Sequence, residues 1–247
     1  MGLLFFQNPI YIALTLIGAS LPDFDLDVKE NNVYKLIIVG LVIFGILYLI
    51  NLPYFIGIMI CLLAIIFYFS HHRGFTHSIL GICILTTIIF LILIIGSYTL
   101  LSFNLESLSI TESTAIFKSL ALGESTAIFK SLSISDSIAI WEKISLGIMV
   151  LFMGILLINR RLIIPFILIF LLGLLIFKTT TLDYFMMIFS IFLGLLSHLI
   201  LDSFSPSGVK ILAPFSSKKY HKDFGIIMII LIGILAIYPF IQLLILF

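Results

Sequence analysis

Six long stretches of this chain are almost devoid of charge. They run over 36–70, 78–101, 144–158, 162–177, 182–201 (whose one charge is Asp183 at its start) and 224–247. A backbone in hydrocarbon must satisfy its own hydrogen bonds, which restricts such runs to helices or a closed barrel. The runs are continuous rather than alternating with a period of two, so helices are expected. The longest run is interrupted by Asn51, Leu52 and Pro53, and proline cannot continue a helix. It therefore reads as a helical hairpin of two spans. A further stretch, 3–21, contains Gln7, Asn8 and Pro9 and either crosses, tilts in the interface or re-enters. The expectation is an all-α, polytopic transmembrane helical bundle of about eight spans, seven if the first stretch does not cross, forming a single membrane domain over 1–247. Lacking a cationic start, the first stretch is not expected to be a cleaved signal peptide.

Composition excludes the main alternatives. Only 10% of side chains are charged and 62% are hydrophobic, against about 25% charged in soluble domains. A net charge of +1 provides no field for nucleic acid, and no basic stripe interleaved with aromatic residues exists to bind it. Cys61 and Cys83 lie within apolar runs and have no thiol at metal-ligand spacing, so they are expected to be free. With eight spans, nine of the Lys and Arg residues fall in odd-numbered loops, including Lys29, Lys35, Arg73, Arg160 and Arg161, while Lys118, Lys130, Lys143 and Lys178 fall in even-numbered ones. This bias puts the odd loops in the cytoplasm of a multi-pass protein of the cell membrane.

The fourth loop, 102–143, lies between spans four and five and contains a repeat. ESTAIFKSL occurs at 112–120 and again at 124–132, and a degenerate copy begins near Asp136. Its Ser/Thr-rich composition permits short amphipathic helices at the membrane surface or a flexible excursion. No catalytic role is assigned to it.

Polar chemistry gathers elsewhere. LPDFDLD contains Asp23, Asp25 and Asp27; SHHRGFTHS contains His71, His72 and His77; SHLILDSF contains His198 and Asp202 at i, i+4, on one helix face. Each has an ordinary structural explanation. Asp23 after Pro22 suits a turn or a cap, the histidines beside Arg73 suit the interface, and His198 could simply bond to Asp202. All three clusters nevertheless sit at the ends of apolar runs, in the first, third and seventh loops. An even number of spans separates them, so they share one membrane face. Carboxylates and imidazoles without thiolates suit a divalent ion, zinc first, with manganese or iron as alternatives. Such an ion activates water and polarises phosphoryl or carbonyl groups, which is hydrolysis chemistry. Arg73 suits bidentate contact with a phosphate, or a positive-inside anchor.

Together PDFD, HRGFTHS and HLILDSFSPSGVKILAPF resemble the signatures of the YdjM family of membrane-bound metal-dependent hydrolases, over roughly 8–81 and 186–225. The resemblance implies Asp23, Asp25, His72, His77, His198 and Asp202 as metal ligands, with Asp25, His77 and Arg73 as the catalytic candidates. Many members carry a histidine early in the first helix, where this chain has Gln7 and Asn8. The implied activity is hydrolysis of a phosphoester in a membrane lipid or lipid-like substrate at the cytoplasmic face, with no obligate protein partner. Two other classes stay open, a metal-ion transporter and a non-catalytic metal-binding membrane protein. A histidine-nucleophile lipid phosphatase is further off, because HLILD lacks that group's companion SGH motif and upstream arginine. After the last cluster, Ser205, Pro206, Ser207 and Gly208 are expected to form a tight turn, in which Pro206 fixes the backbone and Gly208 tolerates positive φ, leading into an amphipathic segment that folds back as a rim.

Overall fold

The computed structural model describes the backbone of residues 9–25, 29–70, 74–121, 127–159, 162–176 and 183–245, with side chains over 9–23, 32–70, 74–103, 141, 143–159, 162–173 and 183–234. The described residues form an all-helical bundle without strands. Its eight helices are α1 (Pro9–Ser20), α2 (Lys29–Leu49), α3 (Phe55–Phe69), α4 (Ile79–Ala121), α5 (Ala127–Leu157), α6 (Ile163–Ile176), α7 (Tyr184–Ser203) and α8 (Lys222–Ile245). Two 3-10 turns, η1 (Pro22–Asp25) and η2 (Phe75–His77), join α1 to α2 and α3 to α4. Asn32–Leu49, Ile79–Phe103 and Tyr184–Ser203 are long and apolar enough to cross a membrane, and Pro9–Ser20, Phe55–Phe69, Lys143–Leu157 and Ile163–Gly173 are shorter apolar helices.

The breaks follow local chemistry. α2 stops at Leu49, the chain turns through Asn51 in the left-handed region (φ 56°), and α3 resumes after Pro53. Asparagine is one of the few non-glycine residues that tolerates this conformation. The repeat-containing segment takes a form that composition did not dictate. α4 continues without a break to Ala121 and α5 begins at Ala127, so most of 102–143 is helix continuous with its neighbours. At 43 residues α4 is about 65 Å long, roughly twice the hydrocarbon thickness.

α1 and α7 are the central pair. Residues near the start of α1 face the start of α7, where the Asp183 backbone N–H donates to the Tyr11 hydroxyl (3.0 Å). Residues near the end of α1 face the end of α7, where the Ala19 carbonyl meets the His198 ring (2.8 Å). The two helices therefore run parallel. Gly18 and Gly194 bring their backbones together: a Cβ on Gly194 would lie 2.2 Å from the Thr15 carbonyl oxygen, and one on Gly18 would lie 2.3 Å from that of Ile191. Gly40 and Gly57 do the same for the α2–α3 hairpin. Small residues at crossings are how helices associate where no hydrophobic drive exists. Leu14, Ile17, Phe67, Ile89, Phe166 and Leu195 fill the interior. Outward faces carry large apolar side chains, among them Leu49 (79% exposed), Phe69 (73%) and Ile164 (70%), a surface suited to lipid rather than water.

Gly194→Leu is expected to destabilise the bundle by at least the ~1–3 kcal/mol of ordinary overpacking, since the obstacle is backbone. Gly45→Leu, which meets nothing within 4 Å, is expected to be tolerated. Thermal unfolding in detergent distinguishes the two.

Candidate metal centre

At one end of the bundle, three histidine and carboxylate side chains come together from two distant segments. His77 closes η2, just before α4, and is 2% exposed. Ser78 fixes this junction, accepting from the Gly81 backbone N–H (3.0 Å) and donating to the Phe75 carbonyl (2.7 Å), the geometry of a helix cap. The returning segment after α7 braces it, because the Ile79 N–H donates to the Ile211 carbonyl (3.0 Å). His198 and Asp202 occupy the last turns of α7.

His77 Nε2 lies 3.0 Å from Asp202 Oδ2, and His198 Nε2 lies 3.6 Å from the same oxygen. His198 Nε2 is also 3.4 Å from Asp23 Oδ1. His77, His198 and Asp202 each present a ligand atom within 4.8 Å of the others. A tetrahedral zinc ion with bonds of about 2.1 Å separates its ligand atoms by about 3.4 Å. The two spacings to Asp202 bracket that edge length and the third does not exceed 4.8 Å, so the three donors could hold a divalent ion.

Hydrogen bonding behind the rings reinforces the fit. His198 Nδ1 is 2.8 Å from the Ala19 carbonyl oxygen. A carbonyl only accepts, so Nδ1 carries the proton and Nε2 of the neutral ring directs its lone pair at two carboxylates. That arrangement requires positive charge between them, as a second proton or a metal cation. His77 Nδ1 meets the Thr76 hydroxyl (3.1 Å), which in turn accepts from Ser70 (3.2 Å). A hydroxyl can donate or accept, so Thr76 accommodates either tautomer of His77. Metal-bound histidines typically have such a partner on the second nitrogen.

Of the residues singled out in the sequence, the structure brings together His77, His198, Asp202 and Asp23. Within the cluster Asp23 faces His198, and at 48% exposure it stands at the open edge. Asp25 lies on η1, but its side chain, like His72, Arg73, Gln7 and Asn8, is outside the described residues. Sequence reasoning missed Ala19, a backbone group that leaves no mark on residue type. It also missed Thr76 and Ser70, although their flanking of HRGF in SHHRGFTHS is visible once the turn is known. Beside the cluster opens a cleft of about 750 Å³, lined by Ser20, Asp23, Asn32, Lys35 and Asn159 at its polar end and by Leu36, Val39, Phe152 and Leu156 beyond.

The chain matches the family described as YdjM inner membrane protein over residues 2–157 and 161–245, nearly its whole length. It belongs to that family of inner membrane proteins. The match also takes in the repeat-containing segment and α6, beyond the stretches that carry the motif resemblance. No curated protein and no solved structure matches the chain.

Purified protein is expected to contain near-stoichiometric zinc, manganese or iron by elemental analysis, and Asp202→Asn or His77→Gln to lose it. Thr76→Val is expected to weaken binding by about 10- to 100-fold, as loss of a partner behind a ligating histidine does. His221→Ala, outside the cluster, should leave the metal content unchanged.

Proposed function

We propose that this chain is a metal-dependent membrane hydrolase that cleaves a phosphoester of a lipid-like substrate at the cytoplasmic face. The observation that carries the reading is the joint position of His77, His198, Asp202 and Asp23. Three of them make a compact donor set, and the fourth turns it toward an open cleft.

His77, His198 and Asp202 would hold the ion; when bound, it supplies water activation and polarisation of the phosphoryl oxygens. The remaining work falls to the chain. Both nitrogens of His77 are engaged and the ring is buried, so its task is holding rather than shuttling protons. The Ala19 carbonyl fixes the orientation of His198, leaving Nε2 as the ligand atom. Asp23 borders the cleft and is exposed enough to reach water there, which suits a general base. His198 does not suit a phosphoenzyme nucleophile, because the two carboxylates facing its Nε2 would repel an approaching phosphate. Transport is disfavoured by placement: transporter sites form near mid-membrane on broken helices, whereas these donors sit at helix ends.

Incubation of the detergent-purified protein with phospholipids and polyprenyl phosphates should release phosphate or headgroup. A chelator should abolish this release and zinc or manganese restore it, while a histidine-nucleophile enzyme would survive chelation. Asp202→Asn is expected to lower turnover at least about a hundredfold. Asp23→Asn should keep the metal yet lose about 10²- to 10⁴-fold in rate, as removal of a general base does. With Cys61 and Cys83 replaced, a cysteine at position 207 should be labelled from the cytoplasm and one at 133 from the opposite side.

A further inference from the structure

Helices α2 and α5 face each other across a crevice rather than packing tightly along their lengths. α2 packs along α3 and reaches η1, while α5 packs along α4 and touches α1 and α6. Two openings lie in this crevice. The first is the cleft beside Asp23, to which α2 contributes Asn32, Lys35, Leu36 and Val39. The second is a wholly apolar cavity of about 220 Å³, to which α2 contributes Ile43 and Leu47 and α5 contributes Ile148, Met149 and Phe152. Residues 32, 35, 36, 39, 43 and 47 form one continuous stripe at helical spacing. On α5, 148, 149, 152, 155 and 156 form the facing stripe, and Phe152 lines both openings. The two spaces are thus successive parts of one path, polar at the metal end and apolar in surface farther in, where Thr99 is the one polar residue among the described lining. From Lys35 to Leu47 the path runs about 18 Å along α2.

We infer that this crevice is the lateral binding groove for a single membrane lipid with a phosphate-ester headgroup. The phosphate rests between Lys35 and Asn32 at the mouth, and one hydrocarbon tail lies along the α2–α5 stripes past Phe152. Charge and polarity select this occupant. Among the described residues lining the mouth, Lys35 is the only cation and Asp23, which also faces His198, the only carboxylate. An anion held by Lys35 therefore shares a cleft with the carboxylate that faces the histidine cluster. A soluble phosphate ester would have no use for the apolar extension, and a neutral lipid none for Lys35. As regards the bond presented to the centre, the inference rests on the hydrolase reading above; occupancy of the groove does not depend on turnover.

The test uses the full chain reconstituted in phosphatidylcholine vesicles containing a minor fraction of phosphatidic acid with a diazirine at the tail end. Photolabelling and peptide mapping are carried out with chelator present, so that no hydrolysis intervenes. Label is expected on the inner stripe, at Ile43, Leu47, Ile148 or Met149. Ile43→Trp, which fills the path, should lower that label severalfold, whereas Ile38→Trp on the exposed side of α2 should not. Lys35→Gln should reduce the advantage of unlabelled phosphatidic acid over phosphatidylcholine as competitor. Label confined to Ile38, Leu41 and other outward positions, or unmoved by Ile43→Trp, overturns the inference. Intact groove labelling in a chain that turns over no phosphoester with metal restored would overturn the hydrolase reading alone.

Discussion

The contact on which this structure turns is the backbone crossing of α1 and α7 at Gly18 and Gly194. Any side chain there would collide with a carbonyl of the other helix, so the two helices approach as closely as they do only because both positions are glycine. That approach brings the Ala19 carbonyl against His198, and the same chain direction carries η1 and Asp23 over the last turns of α7. The geometry of the His77, His198 and Asp202 group is thus set by packing inside the bundle. The carbonyl gains as well. It belongs to the last turn of α1, where helical partners are lacking, and the imidazole supplies one.

Around this pair, polarity is arranged as a membrane environment demands. Apolar side chains fill the interior and also cover much of the outside, while His77, His198, Asp202 and Asp183 lie at helix ends. Asp183 is an example at the far end: it caps α7 through the Phe185 N–H (2.8 Å) and anchors Tyr11 through its own N–H. The segment after α7 does similar work at the end that carries His77, His198 and Asp202. Gly208 turns at φ +65°, Val209 pairs with Tyr220 in an isolated antiparallel bridge, and Ile211 reaches back to the start of α4. Its exposed Leu212 and Phe215 face outward, while Val209 and Ile211 are buried.

Much of this was readable from residue order. Charge-free runs gave the helices, and Asn51–Pro53 gave the hairpin break, because both follow from rules that act locally. The i, i+4 spacing of His198 and Asp202, with the parity of the loops, placed the polar clusters at one end. What spacing could not give was register between segments. Asp23 reaches His198 through the pitch of η1, and the Ala19 carbonyl carries no side-chain signature. His77 and Asp202 share no local pattern; they meet because η2 folds against α7. The extension of α4 and α5 into the repeats was equally hidden, since serine and threonine are indifferent helix formers whose state is decided by what precedes and follows them. The crevice between α2 and α5 could not have been found from either helix alone, because each stripe by itself reads as an ordinary buried face.

The parallel course of α1 and α7 has an electrostatic consequence. Peptide dipoles add along each helix and leave a partial negative charge at its carboxyl end. Because the pair runs the same way, two such ends converge beside Asp202 and Asp23, and α3 ends just before the turn that carries His77. The carboxyl ends of α1 and α7 therefore add negative potential where the histidine nitrogens meet, offset in part by the amino end of α4, which begins two residues after His77. An antiparallel pair would have cancelled that potential; here it draws a cation toward the donors and resists the approach of an anion except alongside a compensating positive group.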